Sequence, residues 1–128
     1  MTTVTGLVPI LLVSDVPRCA AFFTDKLGFR TDFLHGEPVF YGAVSRDGVA
    51  IHMRHIDQPP FAAAAVKEEQ LICASFSVTD VEALYEEFAA RGVAFAHPLT
   101  VQPWGGTDFH VADPDGNVVS FVQYRRDS

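Results

Sequence analysis

The chain contains an internal repeat, and this feature restricts the possible fold more than any other. The segment Val13-Ser14-Asp15-Val16 recurs as Val78-Thr79-Asp80-Val81, and each copy separates an apolar, strand-forming run from a helical pattern. Glycines that end these two helices follow at nearly the same interval, at Gly28 and Gly92. Repetition of strand, cap, helix and helix end is typical of a duplicated module. We therefore predict two copies of one supersecondary unit.

The first copy predicts the order βαβββ. Leu7 to Val13 is apolar on both faces, as in a buried strand, and Pro9 within it indicates an edge position, a bend or a chain crossing. Ser14-Asp15 provides an N-cap, Pro17 lies in the first helical turn, and apolar residues at helical spacing lead to Gly28. Three further strands are predicted, at Phe29–Phe33, Val39–Ser45 and Val49–His55.

The second copy predicts the same order. A strand covers Leu71–Val78, and Thr79 to Glu82 matches a capping box that opens a helix. Three further strands are predicted, at Val93–Phe95, Thr107–Ala112 and Val118–Tyr124. Asp113-Pro114-Asp115-Gly116-Asn117 predicts a hairpin turn, because proline presets φ and glycine tolerates positive φ. The expected organisation is one α+β domain, residues 1–128, with βαβββ modules at about 7–55 and 71–124. The linker, 56–70, contains Pro59-Pro60 and an alanine-rich stretch that favours a short helix.

Composition indicates an ordinary soluble protein. Hydrophobic residues make up 48% of the chain and charged residues 20%, and no apolar run reaches the length of about 20 residues that a membrane span needs. The formal net charge of −7 argues against nucleic acid or an anionic membrane as partner and favours a cationic ligand, although it also fits a role in solubility alone. The start lacks a signal-peptide pattern, so we expect a cytoplasmic protein in which Cys19 and Cys73 are free thiols.

The segment Gln102-Pro103-Trp104-Gly105-Gly106 is the first candidate binding element. It places the only tryptophan beside two residues that lack side chains, so a ligand can approach both the ring and the backbone. The alternative is that Trp104 only covers an edge of the core.

These residues carry a family resemblance. The segments Val13–Val16 and Phe22–Phe29, together with Asp113–Asn117, resemble the glyoxalase / bleomycin resistance / extradiol dioxygenase superfamily, also called vicinal oxygen chelate. Three further segments resemble its bleomycin resistance proteins in particular: Val8-Pro9-Ile10, Phe29–Phe33 and Gln102–Gly105. The resemblance implies that the modules form a curved mixed sheet with helices on the outer face. It also implies a homodimer that sequesters a cationic glycopeptide antibiotic without catalysis, with Trp104 and Phe33 clamping its flat heteroaromatic part.

The resemblance also bears on the alternative of a metal-dependent glyoxalase or dioxygenase-type enzyme. In the enzymes of the superfamily, four positions converge on a divalent metal, and by matching motifs they correspond here to Val8, His52, Cys73 and Ser120. Only His52 is an ordinary ligand, and Cys73 is a possible second, whereas a catalytic site needs about three. We therefore expect no metal, no cofactor and no catalytic residue. A Cys73 nucleophile paired with His52 is conceivable, but no residue that would lower the thiol pKa is evident.

Strand alternation predicts the lining of the cup that the resemblance implies. The residues expected to face it are Val8, Ile10, Leu12, His52, Arg54, Cys73, Ser75, Ser77, Val118, Ser120 and Val122, whereas Leu11, Val13, Ile51, Met53, Ala74, Phe76, Val119 and Phe121 pack under the helices. The predicted ligand-binding residues are Asp32, Phe33, Phe40, His52, Arg54, Cys73, Trp104, Gly105, Gly106 and Ser120. Such a mixed lining suits an amphipathic organic molecule. Arg54 would oppose a cationic ligand unless Asp32, Glu37 or Asp108 neutralises it, so another amphipathic ligand, including an anionic one, stays open.

Overall fold

The first module has the predicted order of elements. The structure is a computed structural model that describes residues 1–59 and 63–125. The elements of the first module are β1 (Ile10–Val13), α1 (Val16–Leu27), β2 (Arg30–His35), β3 (Tyr41–Arg46) and β4 (Val49–His55). The four strands form one mixed sheet in the order β1-β4-β3-β2, with β1 parallel to β4.

The second module repeats this arrangement after a short helix in the linker. Its elements are α2 (Ala63–Glu69), β5 (Ile72–Ser77), α3 (Val81–Ala90), β6 (Phe95–Val101), β7 (Gly106–Ala112) and β8 (Val118–Tyr124). Here the sheet order is β5-β8-β7-β6, with β5 parallel to β8. The prediction of an α+β fold built from two βαβββ modules is therefore confirmed. None of the helices in the described ranges is long and apolar enough to span a membrane.

The ends of the two long helices are set by local chemistry. The Asp15 carboxylate accepts a hydrogen bond from the Arg18 backbone N–H at 3.0 Å, and Asp80 accepts one from Ala83 at 3.1 Å. The second cap is therefore Asp80 rather than the predicted Thr79, because the carboxylate one residue later reaches the free N–H groups. After α1, Gly28 has a φ of 71°, a left-handed conformation that an L side chain rarely adopts.

One hydrophobic core runs through both modules. The residues predicted to pack under the helices are found there, and those that are buried are Leu11, Val13, Ile51, Met53, Phe76, Val119 and Phe121. Phe29 and Phe76, one from each module, pack edge to face with ring centroids 5.6 Å apart. Because aromatic packing continues from one module to the other, the two halves stabilise each other.

A partly buried ion pair also joins the modules. The Arg46 guanidinium donates to both carboxylate oxygens of Glu87, each at 2.8 Å, and to the Leu27 carbonyl at 2.8 Å. Hydrogen bonding from Arg46 lowers the pKa of Glu87. Since Arg46 belongs to β3 and Glu87 to α3, this bidentate contact fixes α3 against the first sheet.

The predicted hairpin turn between β7 and β8 is confirmed. The Asp113 carboxylate accepts from the backbone N–H groups of Asp115 and Asn117, at 2.9 and 2.8 Å. Burial raises the pKa of Asp113, although these hydrogen bonds oppose the shift. Asp115 in turn accepts from the Ser14 N–H at 3.1 Å, and the Asn117 amide donates to the Leu12 carbonyl at 2.9 Å. The turn therefore fastens the second module to the end of β1.

Two strands, β1 and β6, differ most from their predicted ranges. β1 begins at Ile10 rather than Leu7, and residues 1–8 are exposed. β6 runs from Phe95 to Val101, whereas the predicted strand was Val93–Phe95. The register shifts between His97 and Thr100, and β6 is an edge strand, so the missing N–H of Pro98 is tolerated.

Candidate functional site

An aromatic cluster lies on the face of the first sheet opposite the helix-covered core. We call Phe33, Tyr41 and His52 the aromatic cluster; the rings of Phe33 and Tyr41 stack at 6.3 Å, and His52 meets both edge to face at 5.7 and 5.4 Å. Strand register explains the arrangement, because Phe33 and His52 both lie opposite Ala43, on either side of it. Phe33 is 44% exposed. The cluster therefore offers an aromatic surface to a ligand, and Tyr41 is a member that the sequence analysis missed.

The Tyr41 hydroxyl fixes the orientation of His52. Its oxygen lies 2.9 Å from Nδ1 of the imidazole. When the hydroxyl donates, Nδ1 is the accepting nitrogen and Nε2 carries the proton. In that arrangement the His52 ring presents an N–H donor at its other edge.

Asp32 and Phe40 flank the cluster but take part in other contacts. Asp32 accepts from Arg30 Nε at 3.1 Å and from the Ser45 hydroxyl at 2.9 Å. Phe40 packs against His35, with ring centroids 5.4 Å apart, and stays exposed.

Arg54 lies on the same face as the cluster, because in the strand register it lies opposite Tyr41 of β3 and Leu12 of β1. Its guanidinium donates to the His55 carbonyl. Within 1–59 and 63–125 it forms no ion pair, since Asp32 pairs with Arg30 and Asp108 with His110. None of Asp32, Glu37 and Asp108 forms an ion pair with Arg54 in the described residues, so none of them provides the neutralisation that a cationic ligand would need there.

Trp104 lies on the turn between β6 and β7 and is 57% exposed. The turn is closed by hydrogen bonds from the N–H of Gln102 to the carbonyl of Gly106 at 2.7 Å and from the N–H of Gly105 to the carbonyl of Gln102 at 3.3 Å. A Cβ placed on Gly106 would lie 2.3 Å from a carbon of the Trp104 ring. The glycine that was expected to leave the ring open to a ligand thus makes room for the ring itself. Tyr124 packs beside it at 6.0 Å.

A polar network on the second sheet was also missed. Asp108 is only 4% exposed; it accepts from Gln102 Nε2 at 2.9 Å and lies 3.2 Å from Nε2 of His110. The His110 ring lies 5.1 Å from that of His97. The signal in the sequence was the alternation of Asp108 and His110 along one strand, which places both side chains on one face.

The family's metal positions do not fit a metal here. Ser120 is buried and neutral, and the Cys73 thiol donates to the Val118 carbonyl at 3.2 Å. Cys73 lies at a β-bulge between Ile72 and Ala74, and the residue opposite Ser120 is Ser75. Desolvation raises the pKa of Cys73, which opposes both ligation and nucleophilic attack. Val8 has no donor atom, and no group of three His, Cys, Asp or Glu side chains in the described residues is placed to hold a metal.

The predicted site residues therefore fall into separate groups. Phe33 and His52 are in contact, with Arg54 in the next row of the same sheet. Trp104, Gly105 and Gly106 share one turn on the other sheet. The rings of Phe33 and Trp104 each pack against different neighbours in the single chain. Cys73 and Ser120 belong to the second sheet and are not in register with each other.

This architecture is that of a known family. The model of the Glyoxalase/Bleomycin resistance protein/Dioxygenase superfamily matches residues 4–121, and the chain belongs to this superfamily.

Two proteins similar to this chain carry bleomycin in their names. The bleomycin resistance protein of Geobacillus stearothermophilus is 30% identical over 129 residues, which cover 91% of this chain and 94% of that protein. The bleomycin-binding protein of Streptomyces verticillus, solved with copper(II)-bleomycin, is 28% identical with a TM-score of 0.74, covering 99% of this chain and all of the other. A glyoxalase-related enzyme from Clostridium phytofermentans has a TM-score of 0.77 at 16% identity, covering 96% and 97% of the two chains, which shows the shared fold alone.

Proposed function

We propose that this protein binds and sequesters a bleomycin-type glycopeptide antibiotic and leaves it chemically unchanged. The observation that carries the proposal is the presence of two exposed aromatic surfaces, the aromatic cluster around Phe33 and the Trp104 turn. A flat heteroaromatic group held between Phe33 and Trp104 would stack on both. Each aromatic pair contributes about 0.5 to 1.5 kcal/mol beyond the effect of burying apolar surface. Two such contacts would strengthen binding by roughly ten- to one-hundred-fold.

The chemistry of the surrounding residues supports binding rather than catalysis. The thiol of Cys73 has a raised pKa and donates to a carbonyl, and the imidazole of His52 is hydrogen-bonded to Tyr41. Neither is paired with an orienting carboxylate, which an activated nucleophile requires. Free thiols at Cys19 and Cys73 accord with a cytoplasmic location, where such a protein would meet an antibiotic that has entered the cell.

Charge supports the ligand class and restricts its orientation. The net charge of −7 attracts a cationic antibiotic from a distance and speeds association at low salt. Arg54 repels a cationic group close to Tyr41. The positively charged part of the ligand therefore lies away from Arg54, with the flat part over the aromatic cluster.

A homodimer would complete the site. β1 is an edge strand, and Ile10 and Leu12 on its open face are exposed, as is Leu7 before it, at 98%. Exposed apolar side chains along a strand edge favour association with a second copy. In this dimer each crevice would combine the aromatic cluster of one subunit with Trp104 of the partner subunit.

Bleomycin titration against the fluorescence of Trp104 tests the ligand. Trp104 is the only tryptophan, so the tryptophan fluorescence reports on its surroundings alone. We expect saturable quenching at micromolar concentrations of bleomycin. Absence of quenching at high micromolar drug would rule out bleomycin.

A mixed dimer tests the crevice. Co-expression of a Phe33→Ala chain with a Trp104→Ala chain would leave one crevice intact if the two rings come from different subunits. In the mixed dimer, separated from the two homodimers, half of the sites would then bind with unchanged affinity. If both rings of a site came from one chain, every site would be weakened, and the arrangement across subunits would be wrong.

One observation favours a second candidate ligand. Arg54 forms no ion pair in the described part of the chain, which suits an amphipathic molecule with an anionic group. Binding of such a molecule would be lost in Arg54→Gln, whereas bleomycin binding would be retained or strengthened.

A further inference from the structure

The side chain of His55, at the end of β4, contacts two other segments of the chain. Its Nδ1 lies 2.9 Å from the carbonyl oxygen of Ser14, the residue that follows β1. Its Nε2 lies 2.8 Å from a carboxylate oxygen of Asp57, in the linker that follows β4. The imidazole therefore connects the end of β1 with the start of the linker.

Both ring nitrogens of His55 face oxygen atoms that only accept hydrogen bonds. A backbone carbonyl and a carboxylate have no proton to donate, whereas a neutral imidazole has one N–H group and one accepting nitrogen. Only the imidazolium, which has two N–H groups, satisfies both contacts at once. The neutral ring keeps one contact and turns a lone pair towards the other oxygen. The two contacts therefore depend together on the protonation of His55.

The charged groups near this ring come from four segments. Asp57 approaches from the linker, and Asp115 of the β7–β8 turn accepts from the N–H of Ser14 at 3.1 Å. Asp15 follows Ser14, and its carboxylate accepts a hydrogen bond as the cap of α1. Arg54, the preceding residue of β4, donates to the backbone carbonyl next to the ring. Among these side chains Asp57 alone is hydrogen-bonded to the imidazole, so its position follows the charge of the ring.

The start of the linker forms part of the wall of the cup. Ile56 and Pro59 line a cavity of about 780 Å³ together with Leu12 and Val118, which belong to the predicted cup lining. Asp57 lies between Ile56 and Pro59 in the chain. Its contact with the imidazole therefore holds this part of the wall in place.

We propose that His55 is a pH-sensitive connection between β1 and the linker. The protonated ring holds the start of the linker against the end of β1, and the neutral ring releases one of the two contacts. Histidine is the side chain whose charge ordinarily changes between about pH 5 and 8. Both contacts are therefore complete at the acidic end of this range, and one is lost as pH rises. The effect on a ligand rests on the proposed function: bleomycin meets a more ordered wall at lower pH.

Backbone order parameters from ¹⁵N relaxation, measured at about pH 5.5 and about pH 7.5, test the connection. For the amides of Asp57 and Gln58 we expect rigid values of about 0.85 at the lower pH, falling towards about 0.6 at the higher pH. His55→Gln cannot become charged and should lose this pH dependence. His35→Gln removes an exposed histidine outside these contacts and should behave like wild type. Order parameters that do not depend on pH, or that change equally in His55→Gln, would overturn the proposal.

Asp57→Asn tests the linker contact separately from the Ser14 contact. Asparagine keeps an accepting oxygen for Nε2 but removes the charge that strengthens the hydrogen bond. The pH dependence of the Gln58 order parameter should therefore decrease. The amide shift of Asp15, which is bonded to the Ser14 carbonyl carbon, should still change with pH as in wild type. An undiminished pH dependence at Gln58 would contradict the role of the carboxylate.

Bleomycin titration at the same two pH values tests the effect on the site. The ratio of the two affinities should be about two- to five-fold larger in wild type than in His55→Gln, because the other histidines are common to both proteins. If the order parameters change with pH but bleomycin binds at neither pH, the proposed ligand is wrong and the connection stands. If bleomycin binds and the ratio is the same in both proteins, His55 does not regulate the site.

Discussion

The hydroxyl of Tyr41 lies 2.9 Å from Nδ1 of His52 on the open face of the first sheet. The contact joins two adjacent strands, because Tyr41 is in β3 and His52 in β4. It holds the imidazole edge to face against Phe33, with ring centroids 5.7 Å apart. This hydrogen bond, which no sequence motif predicts, therefore positions a side chain of the candidate binding surface.

Removal of this hydroxyl should loosen the His52 ring. In Tyr41→Phe we expect a loss of about 0.5 to 1.5 kcal/mol in the free energy of unfolding, the usual contribution of one hydrogen bond. The ¹⁵N shifts of the His52 ring should also change, because no partner selects the tautomer. Tyr124→Phe removes an exposed hydroxyl and serves as control. Ring shifts that are identical in wild type and Tyr41→Phe would contradict the contact.

Gly106→Ala should displace the Trp104 ring. Gly106 does not have a positive φ, so alanine suits its backbone, but its Cβ would overlap the ring at 2.3 Å. We expect a shift in tryptophan emission and about three- to ten-fold weaker bleomycin binding. Gly6→Ala, where nothing lies within 4 Å of the added carbon, is the control. Unaltered emission would show that the ring does not pack on Gly106.

Much of the fold could be predicted because its signals are local. The carboxylate of Asp15 and the left-handed Gly28 delimit α1 as expected, and β4 and β8 have the predicted bounds. The extent of β6 could not be predicted, since Pro98 is disfavoured in strands and only its edge position makes it acceptable. That position depends on the sheet order, which the local sequence does not encode.

The candidate site was less predictable. Strand alternation predicted that Cys73 and Ser120 both face the cup, but a bulge between Ile72 and Ala74 interrupts the alternation at Cys73. A bulge depends on pairing with another strand, so the single segment does not reveal it. The contact of Tyr41 with His52 likewise depends on the register of β3 with β4.

The junction of the modules should depend on pH. Because Arg46 lowers the pKa of Glu87 in the folded state, the pair stabilises the fold above the usual Glu pKa of 4.5 and loses this effect as pH falls through the lower folded pKa. Glu87→Gln should therefore cost about 1 to 2 kcal/mol near pH 7 and little in strong acid. Thermal unfolding of wild type, Glu87→Gln and the exposed control Glu86→Gln measures this. A cost that does not change with pH would contradict the ion pair.

Neither cysteine should behave as a nucleophile. Burial raises the pKa of both thiols, and the charge of Asp113 adds to the effect. At pH 7 we expect iodoacetamide to modify Cys73 more slowly than free cysteine, and Cys19 only after unfolding. Mass spectrometry of timed samples gives both rates. If Cys73 were modified faster than free cysteine, the result would support the alternative in which Cys73 is a catalytic nucleophile.

The central claim is that Phe33 and Trp104 clamp a bleomycin-type ligand, and calorimetric titration of bleomycin tests it most directly. Wild type should bind one drug per chain, and Phe33→Ala and Trp104→Ala should each bind about ten-fold more weakly. Leu34→Ala, which truncates the exposed neighbour of Phe33 on the other face of β2, should bind like wild type. Affinity that stays unchanged in both aromatic variants would contradict the clamp.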